Sequence, residues 1–413
     1  MSLNIKKPEL LLPGGDLETL KTAVIYGADA VYIGGDMYGL RAKAKNFTMD
    51  EMKQGIEFAH RYGKKVYVTA NITAHNRDLA GIRQYFTELK GFGELRPDAV
   101  IISDPGVFVI AREIIPEIDI HISTQANNTN YETFNFWYRQ GAKRVVSARE
   151  LSMEELAEIR ANIPSEMEIE TFVHGSMCIA YSGRCLLSNY FTGRDANLGA
   201  CTHSCRWKYY LVEETRPGEY LPIEENERGS YIFNSKDLCM IEYIPELVKA
   251  GVNSFKVEGR MKTSLYVATV ARAYRMAIDD FFRDPKLYEA NKEKYMEEVS
   301  KGVNRQFTTG FFFGRPKAQD QIYDRNTYEK AYTYLGTISE IKDGLYGLEQ
   351  KNKFSVGENV EIIKPNGDTI YTTVKRIEDE EGNYMESCPH PQQRIYVDFG
   401  VELDIYDMIR RKE

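Results

Sequence analysis

Glu9-Leu-Leu-Leu-Pro-Gly-Gly-Asp-Leu-Glu-Thr-Leu-Lys-Thr-Ala-Val-Ile-Tyr-Gly-Ala-Asp-Ala-Val-Tyr-Ile-Gly34 reads as one strand–helix–strand unit. Glu9–Pro13 and Ala30–Gly34 are short and apolar, as strands buried on both faces must be. Gly14-Gly15 makes the turn between strand and helix. Asp16 suits an N-cap, and the helical pattern then runs over Asp16–Tyr26. Strands joined through a helix lie parallel, so this stretch sets the topology.

The same unit recurs downstream. Strands are predicted at Lys65–Ala70, Ala99–Ser103, Asp119–Ser123, Arg144–Ser147, Glu168–Val173 and Ser254–Val257. Helices are predicted at Met49–Tyr62, Asp78–Leu89, Gly106–Ile115, Tyr131–Gln140 and Met153–Asn162. Eight strands alternating with helices predict an α/β fold, a closed TIM-type (β/α)8 barrel. A doubly wound open sheet is the alternative, but no Gly-x-Gly-x-x-Gly follows a strand. Two more helical stretches follow, Thr263–Phe281 and Pro285–Ser300. The barrel is expected over residues 1–310 and a Gly- and Pro-rich linker over 311–330. Residues 331–413 alternate polar and apolar positions between Asp-Gly and Asn-Gly turns, which predicts a small C-terminal β-barrel domain.

With 43% hydrophobic and 28% charged residues, the chain can bury a core without disulfides. The start lacks the apolar region of a signal peptide, and no run of apolar residues is long enough to span a bilayer, so a cytoplasmic location is expected. A net charge of −8 argues against a general nucleic-acid coat. It leaves room for a local basic patch, and Arg194, Arg206, Lys208, Lys236, Arg260 and Lys262 lie in one stretch.

The regular alternation breaks once, between strands seven and eight, where the insertion 174–250 holds five of the six cysteines. Loops after barrel strands build active sites, so the cysteines stand where chemistry is expected. Their order is Cys178-x6-Cys185-x15-Cys201-x3-Cys205-x33-Cys239. Only Cys201 and Cys205 form a close pair, which fits structural zinc poorly. The more varied spacings of a four-thiolate iron–sulfur site fit better. Arg184, Arg194 and Arg206 are placed to offset thiolate charge. Cys388 lies apart, in the C-terminal domain.

Glu170-Thr-Phe-Val-His-Gly-Ser-Met-Cys-Ile-Ala-Tyr-Ser-Gly-Arg-Cys-Leu-Leu-Ser188 resembles the signature of peptidase family U32, the collagenase-like proteases. Glu9-Leu-Leu-Leu-Pro-Gly-Gly, Cys201-Thr-His-Ser-Cys-Arg-Trp-Lys, Val257-Glu-Gly-Arg-Met-Lys, Phe307-Thr-Thr-Gly-Phe and Cys388-Pro-His-Pro-Gln are similar too, so the resemblance spans essentially the whole chain. The family name implies proteolysis. The members this chain most resembles imply something else: oxygen-independent 5-hydroxylation of the wobble uridine of tRNA, with prephenate as oxygen donor and co-substrate. The resemblance further implies a [4Fe–4S] cluster and a partner subunit of the same family. Its ligand spacing matches Cys178, Cys185, Cys201 and Cys239, with Cys205 as the alternative to Cys201.

A protease needs an activated nucleophile or an open metal site. The chain has neither His-Glu-x-x-His nor Gly-x-Ser-x-Gly, and only six histidines. Ser176 and His174 flank Gly175 but lack a third, orienting group in sequence. The candidate catalytic residues are Glu170, His174 and Arg184. Arg260 and Lys262, just past strand eight, suit a dicarboxylate, with Glu258 beside them to hold Arg260. Trp207 and Tyr181 are candidates to stack on an unpaired base.

Overall fold

The computed structural model describes residues 6–39, 46–178, 180–207, 210–211, 221–222, 234–316, 320–322, 328–390 and 392–413. Lys208 therefore lies outside the described residues. The chain divides into two compact units. One comprises Met1–Val24, Ala28–Lys262 and Arg305–Tyr328; the other comprises Ile25–Gly27, Thr263–Asn304 and Glu329–Glu413.

The first unit is a closed eight-stranded parallel barrel. Its strands are β1 (Glu9–Pro13), β2 (Ala30–Gly34), β3 (Lys65–Ala70), β4 (Ala99–Ile102), β5 (Asp119–Ile122), β6 (Arg144–Val146), β7 (Glu168–Ser176) and β8 (Ser254–Val257). Each pairs with the next, and β8 pairs with both β7 and β1 to close the ring. The strands read from sequence are these strands. They persist because nearly every residue in them is buried, so a β-branched or aromatic run is covered on both faces.

Helices α1 (Leu17–Ile25), α2 (Met49–Arg61), α3 (Leu79–Lys90), α4 (Pro105–Ile114), α5 (Tyr131–Gln140) and α6 (Met153–Ala161) alternate with the strands. Their starts are written in side chains. Asp16 Oδ1 accepts the Thr19 amide at 2.8 Å. Thr48 with Glu51, and Ser152 with Glu155, form capping boxes at α2 and α6. Met52, Ile56 and Ala59 make the buried stripe of α2.

Strand β7 runs three residues beyond the expected Val173. The reason is a partner: the strand Asp237–Cys239 pairs antiparallel with its end, setting Asp237 opposite Ser176 and Cys239 opposite His174. Phe307–Thr308 then pairs with that strand. Gly175 carries the bend, with φ at +108° and a Cβ position that would stand 2.5 Å from the Glu258 carbonyl oxygen.

The interior of the barrel is not wholly apolar. Arg144, at the start of β6, lies among Glu9, Glu168 and Glu170 with contacts of 2.6, 2.6 and 3.0 Å. These residues sit toward the strand starts, the face that serves stability in barrels of this kind.

In the second unit, α9 (Ser264–Arg283) and α10 (Pro285–Ser300) pack together; two short helices, α7 and α8, precede them in the first unit, at Leu187–Thr192 and Ile244–Lys249. The C-terminal portion is an eight-stranded antiparallel sheet curled as a half-barrel around Leu335, Ile362, Ile395 and Ile409. Cys388 is buried in that core.

Candidate active site

A cavity of about 160 Å³ opens at the strand C-terminal ends of the first unit. Tyr32, Thr69, Ile101, Ser123, Phe172 and Lys256 line it from six different barrel strands or their ends, and the cysteine insertion lines it from the other side. Residues from strand ends and βα loops meet here because that mouth is where a barrel leaves its chain free to vary.

Four thiols face this one cavity: Cys178, Cys185, Cys201 and Cys205. They are close enough to act on one another. Burial pushes the Cys205 thiol up to about 11. Arg206 pulls it down, and the other three thiols push it further up. The arginines expected to offset thiolate charge divide up differently in space. Arg206 lines the cavity and donates to the Met177 carbonyl at 3.0 Å. Arg184 is exposed and bonds the Asn127 side chain instead, and Arg194 is exposed as well. Beside Cys178 stands Arg149, whose Nη1 is 3.5 Å from the Cys178 Sγ.

Cys239 is elsewhere. It is buried on the strand that extends β7 and is not among the residues lining the cavity. Among the described residues, no three His, Cys, Asp or Glu side chains converge on a point where a single metal ion would sit.

Cations gather on the barrel side. Arg260 is 5% exposed, lines the cavity, and donates to Thr69 Oγ1 at 2.9 Å and Asn46 Oδ1 at 3.2 Å. Gly34 leaves the room for its guanidinium, which a Cβ there would strike. Lys256 reaches the cavity from inside β8, held by Glu170 at 2.7 Å and lying 4.6 Å over the Tyr32 ring. Arg149 stacks on Phe172 at 4.0 Å and stands 3.9 Å from Glu258. Glu258 lines the cavity beside them.

The remaining sequence candidates scatter. Glu170 is fully buried one layer below, bonded to Lys256 and Arg144, so it reaches the cavity only through Lys256. His174 is buried outside the cavity lining, and burial, with Lys262 nearby, pulls its pKa to about 3, which keeps it neutral. Lys262 turns to the Tyr328 ring at 3.9 Å. Tyr181 is both exposed and part of the cavity wall; Trp207 is exposed and outside it. Sequence reasoning missed Arg149 and Lys256. Arg149 stands three residues past β6, at the same mouth as the insertion, and a lysine inside a strand buried on both faces marks a paired charge.

A fold of this class, with a thiol-rich loop set over the mouth of a (β/α)8 barrel, has relatives. Residues 15–322 match peptidase family U32 and residues 330–410 match the U32 C-terminal domain. The chain belongs to peptidase family U32. It is 42% identical to tRNA hydroxylation protein P1 of Bacillus subtilis (strain 168), over 98% of this chain and 95% of that one. It is 38% identical to tRNA hydroxylation protein P of Escherichia coli (strain K12), over 98% and 97%. It is also 44% identical to an uncharacterized protease of Methanocaldococcus jannaschii, over 74% of this chain and 73% of that one.

Proposed function

We propose that this protein is a tRNA-modifying enzyme that installs a hydroxyl at carbon 5 of the wobble uridine, without molecular oxygen and with prephenate as oxygen donor. The observation that carries the reading is one cavity walled by four thiols on one side and by Arg149, Lys256 and Arg260 on the other. It occurs in a chain similar along nearly its full length to two proteins named for tRNA hydroxylation. No helix among the described residues is long and apolar enough to cross a membrane.

The donor set fits an iron–sulfur cluster. Cys178, Cys185, Cys201 and Cys205 would hold it, and the Arg149 guanidinium would donate to the Cys178 sulfur, the kind of contact that tunes a cluster's potential. Such a cluster supplies one-electron redox chemistry when bound. The other side chains bind and orient. Arg260, fixed by Thr69 and Asn46, presents a planar fork to a carboxylate. Arg149 and Lys256 supply the charge for a second carboxylate, as a dicarboxylate such as prephenate requires. Glu170 is a positioning residue, aiming the Lys256 ammonium. The peptidase reading draws less support, because His174 does not share the cavity that Ser176 lines.

The test is nucleoside mass spectrometry of tRNA from a strain lacking this protein. Loss of the 5-hydroxyuridine derivatives, restored by the wild-type chain but not by Arg260→Ala, is expected. Unchanged tRNA in a strain with no parallel pathway would overturn the proposal.

A further inference from the structure

The cysteine insertion shows large apolar side chains to solvent. Tyr190 is 82% exposed, Leu186 68%, Tyr181 45%, Trp207 44% and Phe191 43%. A contiguous group of this kind marks an interaction surface. The rings of Tyr190 and Phe191 are 5.2 Å apart, and those of Phe191 and Trp207 are 6.2 Å apart, so three of them form a chain of ring contacts. That chain is held in place from beneath. Ser188, in α7, lies 3.0 Å from the Thr202 hydroxyl and accepts the Thr202 amide at 3.1 Å. The Trp207 amide donates to the Ser204 carbonyl at 3.1 Å. The loop that carries Cys201 and Cys205 therefore also carries the aromatic group, and Tyr181 belongs to both the exposed group and the cavity wall.

The charge around these rings runs against the rest of the chain. Residues 181–207 contain three arginines and one aspartate, in a chain of net charge −8, and Arg184 and Arg194 are exposed. Exposed rings interleaved with arginine suit a partner with flat π faces and a phosphate backbone. A membrane surface fits less well, because α7 has six residues and cannot lay down an amphipathic face.

We propose that Tyr190, Phe191 and Trp207 form a stacking platform for the unpaired nucleotides flanking the target base of an RNA loop. Tyr181 stands where that base would pass toward the cavity. The proposal rests on the tRNA reading and deepens it by naming the surface that engages the loop.

Trp207 provides the readout. The chain has two tryptophans, and Trp137 is buried at 6% exposure, so quenching by a bound ligand reports on Trp207. Full-length protein prepared without oxygen is titrated with an anticodon stem–loop RNA and with the same stem as a plain duplex. The loop RNA is expected to quench Trp207 emission and the duplex to leave it unchanged. For the variants, binding is read from the anisotropy of a dye-labelled loop RNA: Tyr190→Ala and Trp207→Ala should each weaken it by about fivefold or more, while Trp207→Phe, which keeps a ring, retains most of the affinity. Unchanged circular dichroism and iron content show that the variants fold. Equal affinity of the alanine variants and wild type would overturn the platform and leave the tRNA reading standing. No binding of the loop RNA by wild type would overturn the tRNA reading itself. Quenching by phosphatidylglycerol vesicles or denatured collagen, with none by RNA, would assign the surface to a lipid or a peptide and overturn the proposal.

Discussion

Arg144→Met tests the barrel interior. Arg144 is 5% exposed and is bonded to Glu9, Glu168 and Glu170, which are 14%, 23% and 0% exposed. Removing one partner of a buried ion pair costs about 3–5 kcal/mol, because the other charge stays behind. Water relieves part of this at Glu9 and Glu168, Tyr67 and Ser254 still donate to Glu9, and Lys256 still serves Glu170, so the cost should stay within that range although three carboxylates lose a partner. At roughly 2–4 °C per kcal/mol for a unit of this size, Tm should fall by about 10 °C. The pH dependence is sharper. Burial alone would raise the Glu9 pKa, yet Arg144, with help from Tyr67 and Ser254, holds it below the usual carboxylate value. In wild type, Glu9 therefore adds stability that is present above its unfolded pKa and lost as pH falls through the depressed folded value. In the variant burial acts without Arg144, and the folded pKa rises above the unfolded one. Stability is then present at low pH and lost as pH rises. The gap between the two proteins should be widest near about pH 8 and narrow toward about pH 5 in urea unfolding followed by circular dichroism. Arg144→Lys should recover part of the loss, keeping charge without the fork. A cost below about 1 kcal/mol, or a gap that grows in acid, would refute the reasoning.

Other outcomes follow from the same geometry. Ser substitutions at Cys178, Cys185, Cys201 and Cys205 should each abolish iron binding in anaerobic preparations, while Cys239→Ser and Cys388→Ala keep it, by iron and sulfide assay; iron lost at Cys239 and kept at Cys205 would restore the ligand set that the family spacing implies. Gly34→Val should displace the Arg260 guanidinium and lower tRNA hydroxylation as far as Arg260→Ala does, with the absorption spectrum unchanged. Arg410→Met, which leaves Glu298 to Arg272 and Lys301 and Glu361 to the Tyr332 hydroxyl in the second unit, should cost about 3 kcal/mol, the low end for a broken buried pair, in thermal unfolding.

The barrel was legible because burial on both strand faces writes a simple pattern. β1, β2, β3 and β8 have the bounds their apolar runs suggest. The end of β7 was not legible, since its last residues are strand only because Asp237–Cys239 returns from over 60 residues away to pair with them. The grouping of thiols was legible as a density of cysteines, but not its membership. Cys201 and Cys205 reach the cavity through a loop tied by Ser188 and Thr202, while Cys239, in the same insertion, is drawn into a sheet. Arg260 was legible as a cation beyond a strand end. Arg149 and Lys256 were not, because one sits in a short loop and the other within a strand, where only the ring of neighbours reveals that each faces the cavity.

The division of the chain bears on its synthesis. Tyr26, just after α1, donates its hydroxyl to the carbonyl oxygens of Ile363 and Tyr406 at 2.9 Å, across 337 and 380 positions of sequence. A ribosome delivers residue 26 near the start and residue 406 near the end, so those bonds wait for almost the whole message to be read. Until then the Tyr26 hydroxyl does without those two carbonyls. A chain halted at the linker stops with Tyr26, Arg272 and Glu298 all short of the partners that the last strands supply. Truncated products should therefore leave α9 and α10 open to proteases in the cell.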